Sequence, residues 1–127
     1  MLKSYLFIAH TEKMGRGVFT KKEIAANTVI EVAPVIVMSS DERKLVDQTL
    51  LHDYIFEWGE ESERCCMALG LVPIYNHSYN SNCEYYMDFD TDTILIKTAR
   101  DIEKGEELTI NYNGDYNDES KIWFEAL

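Results

Sequence analysis

The chain has 127 residues, of which 46% are hydrophobic and 12% aromatic, a composition that is typical of one folded domain and excludes intrinsic disorder. Its 23 acidic and 12 basic residues give a net charge of −11, which disfavours direct binding to nucleic acid phosphates. Apolar runs are shorter than the ~18 residues of a membrane span, and the N-terminal run is too short for a signal peptide, so we expect a cytoplasmic protein without membrane association.

The first third of the chain shows short apolar runs that turn residues separate. We predict a strand at Ser4–Ala9 and a turn at Thr11–Gly17. The segment Ile24–Val32 contains a turn at Asn27-Thr28 and the β-branched, strand-forming run TVIEV. Proline lacks a backbone N–H, so we expect Pro34 to break this strand, which resumes at Val35–Met38.

A helix is predicted next, near residues 41–51. Ser39 and Glu42 have the spacing of a capping box, and apolar residues follow at helical intervals. The segment His52–Trp58 is strand-like in composition, and a charged turn follows it.

The second half of the chain has mostly a period of two, which is typical of strands. We predict a buried strand at Cys65–Leu69, a hairpin of Cys83–Phe89 and Thr91–Ala99, and a last strand at Glu107–Tyr112. The C-terminal residues 117–127 have amphipathic helical spacing. The class is therefore mainly β with one or two short helices.

The three cysteines, Cys65, Cys66 and Cys83, do not have the spacing of a metal site. Neighbouring strand residues point to opposite faces, so Cys65 and Cys66 are poorly placed to share an ion. The histidines His10, His52 and His77 also fit no standard ligand spacing. We therefore expect buried free thiols, a reducing compartment and no metal.

The polar segment of residues 74–82, IYNHSYNSN, directly follows the apolar stretch CCMALGLVPI. One interpretation is a turn, because Asn and Ser side chains bond nearby backbone groups. The other is a rigid binding corner. Hydrolysis by His77 and Ser78 is disfavoured, because adjacent residues do not normally face each other, and the chain has no P-loop, HExxH or GxSxG pattern.

Three segments in chain order, MGRGVF, NHSYNSNC and GEELTINY, together resemble the SET domain family. The GxG pattern matches Gly15–Gly17, the NHSCxPN signature matches residues 76–82, and the GEELTxxY signature matches residues 105–112. The resemblance covers nearly the whole chain and is greatest to short viral and bacterial SET proteins. Tyr79 and Ser81 replace the usual Cys and Pro, and Asn111 stands where many members have Asp.

This resemblance implies one SET domain over residues 1–127, with several short-stranded sheets and a C-terminal pseudoknot. It also implies an S-adenosylmethionine-dependent protein-lysine N-methyltransferase in which Tyr112 is the catalytic residue. Without a cysteine cluster after the last motif, we expect no post-SET zinc site, and residues 112–127 would close the site. The implied cofactor-binding residues are Gly15, Arg16, Gly17, Asn76 and His77.

The implied lysine channel comprises Tyr54, Tyr85, Ile110 and Tyr116. The three tyrosines are also consistent with ordinary cross-strand aromatic pairs, and Arg16 with an exposed turn residue. The acidic charge is suited to a basic, lysine-containing protein or peptide substrate, such as a histone-like tail, but it equally favours solubility. A homodimer is left open. The alternative function is a SET-like peptide- or partner-binding module without catalysis.

Overall fold

The computed structural model describes residues 1–59 and 63–112. These residues form a mainly β fold with one α-helix, α1, at Ser40–Val46, and 3₁₀ turns at Leu50–Asp53 and Val72–Ile74. The described part of the chain has nine strands: β1 Leu6–His10, β2 Arg16–Thr20, β3 Val29–Met38, β4 Phe56–Trp58, β5 Arg64–Ala68, β6 Asn76–His77, β7 Cys83–Asp88, β8 Thr93–Thr98 and β9 Glu107–Ile110. The predicted fold class is confirmed, whereas the predicted C-terminal helix lies outside the described residues.

The strands form two sheets. One has four strands in the order β1-β2-β9-β6, and the other has five in the order β4-β5-β3-β8-β7. All the pairings are antiparallel except that between β6 and β9, which is parallel. That parallel pair joins two segments that are about 30 residues apart in the sequence, as the register Asn76 with Thr109 shows.

The expected break at Pro34 is wrong, because β3 runs without interruption from Val29 to Met38. Residues up to Pro34 pair with β8, and residues from Val35 pair with β5. Pro34 therefore sits where the strand changes partners, and its carbonyl accepts a hydrogen bond from Leu69 N–H at 3.0 Å. A missing N–H is tolerated at such a changeover, because it removes at most one hydrogen bond at the very end of the β3–β5 ladder.

The predicted capping box is confirmed. The Ser39 hydroxyl accepts from Glu42 N–H at 3.2 Å, and Glu42 Oε1 accepts from Ser39 N–H at 2.9 Å. The helix is shorter than predicted and ends at Val46. The strand expected over residues 52–58 begins only at Phe56, because the Thr49 hydroxyl caps a 3₁₀ turn at Leu50–Asp53.

The core lies between the two sheets and is built from strand residues that point inward. Val18, Ile30, Ile96, Leu108 and Ile110 are fully buried there. The three cysteines are buried free thiols, as predicted. Burial raises the pKa of Cys66 and of Cys83 to about 12, so both remain protonated and unreactive at neutral pH.

Candidate active site

The polar corner and the last motif lie side by side. Strand β6 runs parallel to β9, with Asn76 opposite Thr109 and His77 opposite Ile110. Ser78 N–H extends the pairing by donating to the Ile110 carbonyl at 3.0 Å. The corner is therefore more than a solvent-exposed turn, because Asn76 and His77 within it form a strand of the four-stranded sheet.

Asn82 fixes the far end of this corner against β9. Its side-chain amide donates to Glu106 Oε2 and to the Glu107 carbonyl, both at 2.8 Å. Its Oδ1 accepts from Thr109 N–H at 2.9 Å. Asn82 is buried, so these bonds satisfy polar groups that would otherwise be costly to desolvate. The polar residues of the corner therefore hold the two motifs in register.

Tyr112 follows β9 and is held at each of its polar groups. Its hydroxyl donates to the Tyr75 carbonyl at 2.6 Å, and its N–H donates to His77 Nδ1 at 3.0 Å. Its own carbonyl accepts from the Tyr85 hydroxyl at 3.1 Å. Burial raises the pKa of Tyr112 above the usual value for tyrosine, so the hydroxyl stays protonated at neutral pH.

Aromatic rings enclose Tyr112. The Phe56 ring lies edge-on at 6.0 Å between centroids, and the His77 ring is tilted against it at 5.1 Å. Phe56 in turn packs edge-on against Tyr85 at 5.5 Å. These contacts give Tyr112 an apolar surround in which a charged group would be desolvated.

His77 supports Tyr112 through its side chain. Because Nδ1 accepts the Tyr112 N–H, the neutral ring carries its proton on Nε2. Burial lowers the pKa of His77, which favours this neutral form. Its buried Nε2 has no hydrogen-bond partner among the described residues, and the Tyr79 ring stands perpendicular to it at 4.4 Å.

A cavity of about 360 Å³ opens beside Tyr112. Five of the residues that the sequence singled out line it, namely Gly15, Arg16, Tyr54, Asn76 and Tyr112. The structure thus brings together the GRG segment at the start of β2, the start of the polar corner and the end of the last motif. Its other lining residues are His10, Met14, Asp53, Pro73 and Ile74.

The wall of this cavity depends on close contact between the first two motifs. Asn76 Nδ2 donates to the Arg16 carbonyl at 3.0 Å and to Glu107 Oε2 at 2.8 Å. Gly17 is buried beneath them, and a Cβ there would lie 3.0 Å from Asn76 Nδ2 and overlap the Glu107 carboxylate. Glycine at this position therefore lets the three segments approach each other.

The remaining predicted residues lie elsewhere. His77 and Tyr85 contact Tyr112 from behind without lining the cavity, and Ile110 is fully buried in the core. Tyr116 lies outside the described residues. Their roles toward cofactor or lysine stay predictions. Within residues 1–59 and 63–112, His, Cys, Asp and Glu side chains form no group of three that could hold a metal ion. None of the helices there combines the length and apolar character that crossing a bilayer requires.

Sequence reasoning missed half of the cavity wall. His10 is at the end of β1, where it pairs with Arg16 on β2, so the hairpin register carries it to the cavity. Met14 and Asp53 each adjoin a residue that was singled out, namely Gly15 and Tyr54. Met14 and Ile74 each stand at the start of a segment that the sequence singled out, whereas Pro73 had no signal beyond its position before the polar corner.

Comparisons with known proteins agree with this geometry. Residues 15–113 match the profile of the SET domain family. The chain is 37% identical over 126 residues to a Schizosaccharomyces pombe histone-lysine N-methyltransferase, H3 lysine-37 specific, covering 98% of this chain and 80% of the relative. It is 34% identical over 113 residues to a Cryptococcus neoformans histone-lysine N-methyltransferase, H3 lysine-36 specific, covering 83% of this chain but only 14% of that protein.

A solved structure is also similar. The crystal structure of a Plasmodium falciparum protein described as a histone methyltransferase aligns with a TM-score of 0.66 and 25% sequence identity. The alignment covers 87% of this chain and 95% of that chain. The similarity therefore extends over nearly all of both folds.

Proposed function

This chain belongs to the SET domain family, and we propose that it is a protein-lysine N-methyltransferase that uses S-adenosylmethionine. The observation that carries the proposal is the convergence of Gly15, Arg16, Asn76 and Tyr112 on one cavity. The relatives named as histone-lysine N-methyltransferases support the reaction type. The neutral, fixed hydroxyl of Tyr112 supports catalysis over the alternative of a binding module without activity.

The residues of the cavity fit S-adenosylmethionine. Its volume of about 360 Å³ is within the range of small-molecule pockets. Arg16 offers a cation for the ligand's carboxylate and Asp53 an anion for its amino group, while Gly15 allows close backbone approach. The buried Nε2–H of His77, next to this wall, is a donor without a partner among the described residues. When bound, S-adenosylmethionine supplies a methyl group activated on a sulfonium.

The aromatic rings around Tyr112 favour the neutral form of the substrate lysine, which is the form that accepts a methyl group. Lysine with a pKa of about 10.4 needs roughly 4.6 kcal/mol to be neutral at pH 7. We propose that the Tyr112 ring, which lines the cavity and is packed from behind by Phe56 and Tyr85, excludes water from the amine and so lowers the lysine pKa. The Tyr112 hydroxyl, held by the Tyr75 carbonyl, then orients the amine, which is a proximity effect.

The substrate we propose is a basic, lysine-containing protein of the histone H3 type. Two relatives carry H3 lysine specificities in their names, and the net charge of −11 favours a cationic partner. Steering by opposite charge speeds encounter without needing a large interface. We propose a reducing, cytoplasm-like compartment, in which the three free thiols would remain unpaired.

The test is methyl transfer from labelled S-adenosylmethionine to a panel of basic proteins. The panel contains histone H3, the other core histones and an H3 tail peptide with every lysine replaced by arginine. We expect label on H3 that is lost with the arginine peptide and with Tyr112→Phe enzyme. Cofactor binding by calorimetry without transfer to any lysine-rich protein would support the non-catalytic alternative instead.

A further inference from the structure

Tyr75 links the hydroxyl of Tyr112 to a charge in the core. The Tyr75 carbonyl accepts from the Tyr112 hydroxyl at 2.6 Å, while the Tyr75 hydroxyl donates to Glu31 Oε1 at 3.0 Å. Tyr75 is fully buried, and Glu31 on β3 is 1% exposed. One side chain thus holds in place the backbone group that receives the Tyr112 hydroxyl.

Glu31 also holds the other end of the segment that leads to Tyr75. Its Oε2 accepts from Leu71 N–H at 2.7 Å. Between Leu71 and Tyr75 lies the 3₁₀ turn Val72–Ile74, after which Tyr75 turns to an extended conformation with φ −58° and ψ 127°. The Glu31 carboxylate therefore accepts one hydrogen bond before the 3₁₀ turn and one after it, and so fixes the segment that ends in the Tyr75 carbonyl.

The surroundings of Glu31 leave little freedom for this carboxylate. Gly70 has φ +74°, and a Cβ there would overlap Glu31 Oε2. Burial raises the pKa of Glu31, although the hydrogen bonds from Leu71 and Tyr75 oppose that rise. An ionised carboxylate at this position thus carries a net desolvation cost. The carboxylate is kept there by the two donors that it satisfies, Leu71 N–H and the Tyr75 hydroxyl, both of which would lose their acceptor without it.

We propose that Glu31 is a positioning residue for methyl transfer, which acts through Tyr75 to fix the carbonyl that orients the Tyr112 hydroxyl. The inference rests on the proposed function of the same site. Glu31 does not line the cavity, and Tyr75 does not either, so neither needs to touch a bound molecule. Their effect is on the alignment of Tyr112 alone.

Two substitutions separate this role from packing. Tyr75→Phe keeps the buried ring and removes only the hydroxyl that Glu31 holds. Glu31→Gln keeps the size of the side chain and one acceptor for Leu71 N–H, but removes the charge and reverses the second bond, since its amide nitrogen donates to the Tyr75 hydroxyl instead of accepting from it. For Tyr75→Phe we expect a single-turnover rate lower by about 10- to 100-fold, since small misplacements of a reacting group have effects of that size. For Glu31→Gln, in which a weaker neutral bond to Tyr75 remains, we expect a smaller loss of rate. The substrate KM and the cofactor affinity should stay unchanged.

The decisive experiment is a double-mutant cycle of Tyr75→Phe with Tyr112→Phe. If Tyr75 acts through the Tyr112 hydroxyl, its substitution lowers the rate in the wild type and has no further effect in Tyr112→Phe. An equal loss in both backgrounds, or a wild-type rate in Tyr75→Phe, would overturn the inference. Thr98→Val is the matched control: it removes a buried hydroxyl that donates to Ala25 at 2.8 Å, and it should keep the full rate.

A second measurement does not depend on activity. With 3-fluorotyrosine at position 112, the ¹⁹F resonance reports on the hydrogen bond of that hydroxyl. We expect Tyr75→Phe and Glu31→Gln to shift this resonance and Thr98→Val to leave it in place. If the wild type transfers no methyl group, the proposed function fails, while a shifted resonance still supports the link from Glu31 to Tyr112. An unshifted resonance in both variants contradicts the link whatever the activity.

Discussion

Removing the hydroxyl of Tyr112 separates its chemical role from its structural one. Tyr112→Phe deletes the hydrogen bond of 2.6 Å to the Tyr75 carbonyl, but keeps the backbone bond to His77 and the ring contacts with Phe56 and His77. A single such bond contributes about 1 kcal/mol to stability. For a domain of this size that corresponds to a Tm lower by about 4 °C. The variant should therefore fold and bind cofactor nearly as the wild type does.

The expected effect on rate is larger than the effect on stability. Loss of one aligned contact should slow methyl transfer by about 10²-fold or more, equivalent to about 2.7 kcal/mol in the barrier. The assay is single-turnover transfer at saturating cofactor, with cofactor affinity measured alongside. A variant that binds cofactor and transfers methyl at nearly the wild-type rate would show that Tyr112 only forms part of the wall.

The same assay from pH 7 to 9 tests how the substrate is deprotonated. Over this range the cost of neutralising free lysine falls from about 4.6 to about 1.9 kcal/mol. Because burial raises the pKa of Tyr112, its hydroxyl stays protonated throughout and does not contribute to the profile. We expect the wild-type rate to rise with pH, but by less than 10²-fold, since the apolar surround already lowers the lysine pKa. A rate that does not change between pH 7 and 9 would refute the idea that forming the neutral amine limits the rate of methyl transfer.

Three further predictions address stability, cofactor binding and substrate capture. Burial lowers the pKa of His77, so protonation of this side chain destabilises the folded state. The free energy of unfolding should therefore be highest above the ordinary histidine pKa of about 6.5 and should decrease as the pH falls below that value. Urea unfolding at about pH 7.5 and 5.5 should show this decrease in the wild type and a smaller decrease in His77→Phe. Gly17→Ala should weaken cofactor binding in calorimetry by displacing Asn76, whereas Gly105→Ala, with φ +85° and open space for its Cβ, should lower stability alone. The apparent affinity for a basic peptide should fall as the salt concentration rises toward about 0.5 M, because the electrostatic screening length drops below about 8 Å. An unchanged affinity would mean that the net charge of −11 serves solubility and not substrate capture.

Local signals in the sequence predicted local structure well. The Ser39–Glu42 capping box depends on residues three positions apart, and the alternating hairpin β7–β8 on a short turn, so each is encoded within a few residues. The strand break predicted at Pro34 was wrong, because β3 changes its partner strand from β8 to β5 at this residue. Both partner strands are distant in the sequence, so the residues around Pro34 give no signal of this change. The strand predicted over residues 52–58 begins later than expected, because the Thr49 hydroxyl caps a 3₁₀ turn in the residues before Phe56.

The candidate site likewise has one part that the sequence predicted and one part that it did not. The three motifs were recognisable because a family pattern places them in order, although their contact with one another comes from the parallel pairing of β6 and β9. The link between Glu31 and Tyr75 joins residues 44 positions apart, and neither had a signal beyond an ordinary strand acid and a core aromatic. Such contacts depend on how the sheets pack, which periodicity and propensity do not encode.

The most direct test of the account is the mass of a histone H3 tail peptide after incubation with the enzyme and S-adenosylmethionine. We predict a mass increase of one or more methyl groups on lysine, which is absent with the lysine-to-arginine peptide and strongly reduced with Tyr112→Phe. The cavity that joins Arg16, Asn76 and Tyr112 would then be a methyltransferase active site. An unchanged mass for H3 and for every other basic protein tested, with folded enzyme and saturating cofactor, would contradict the central claim.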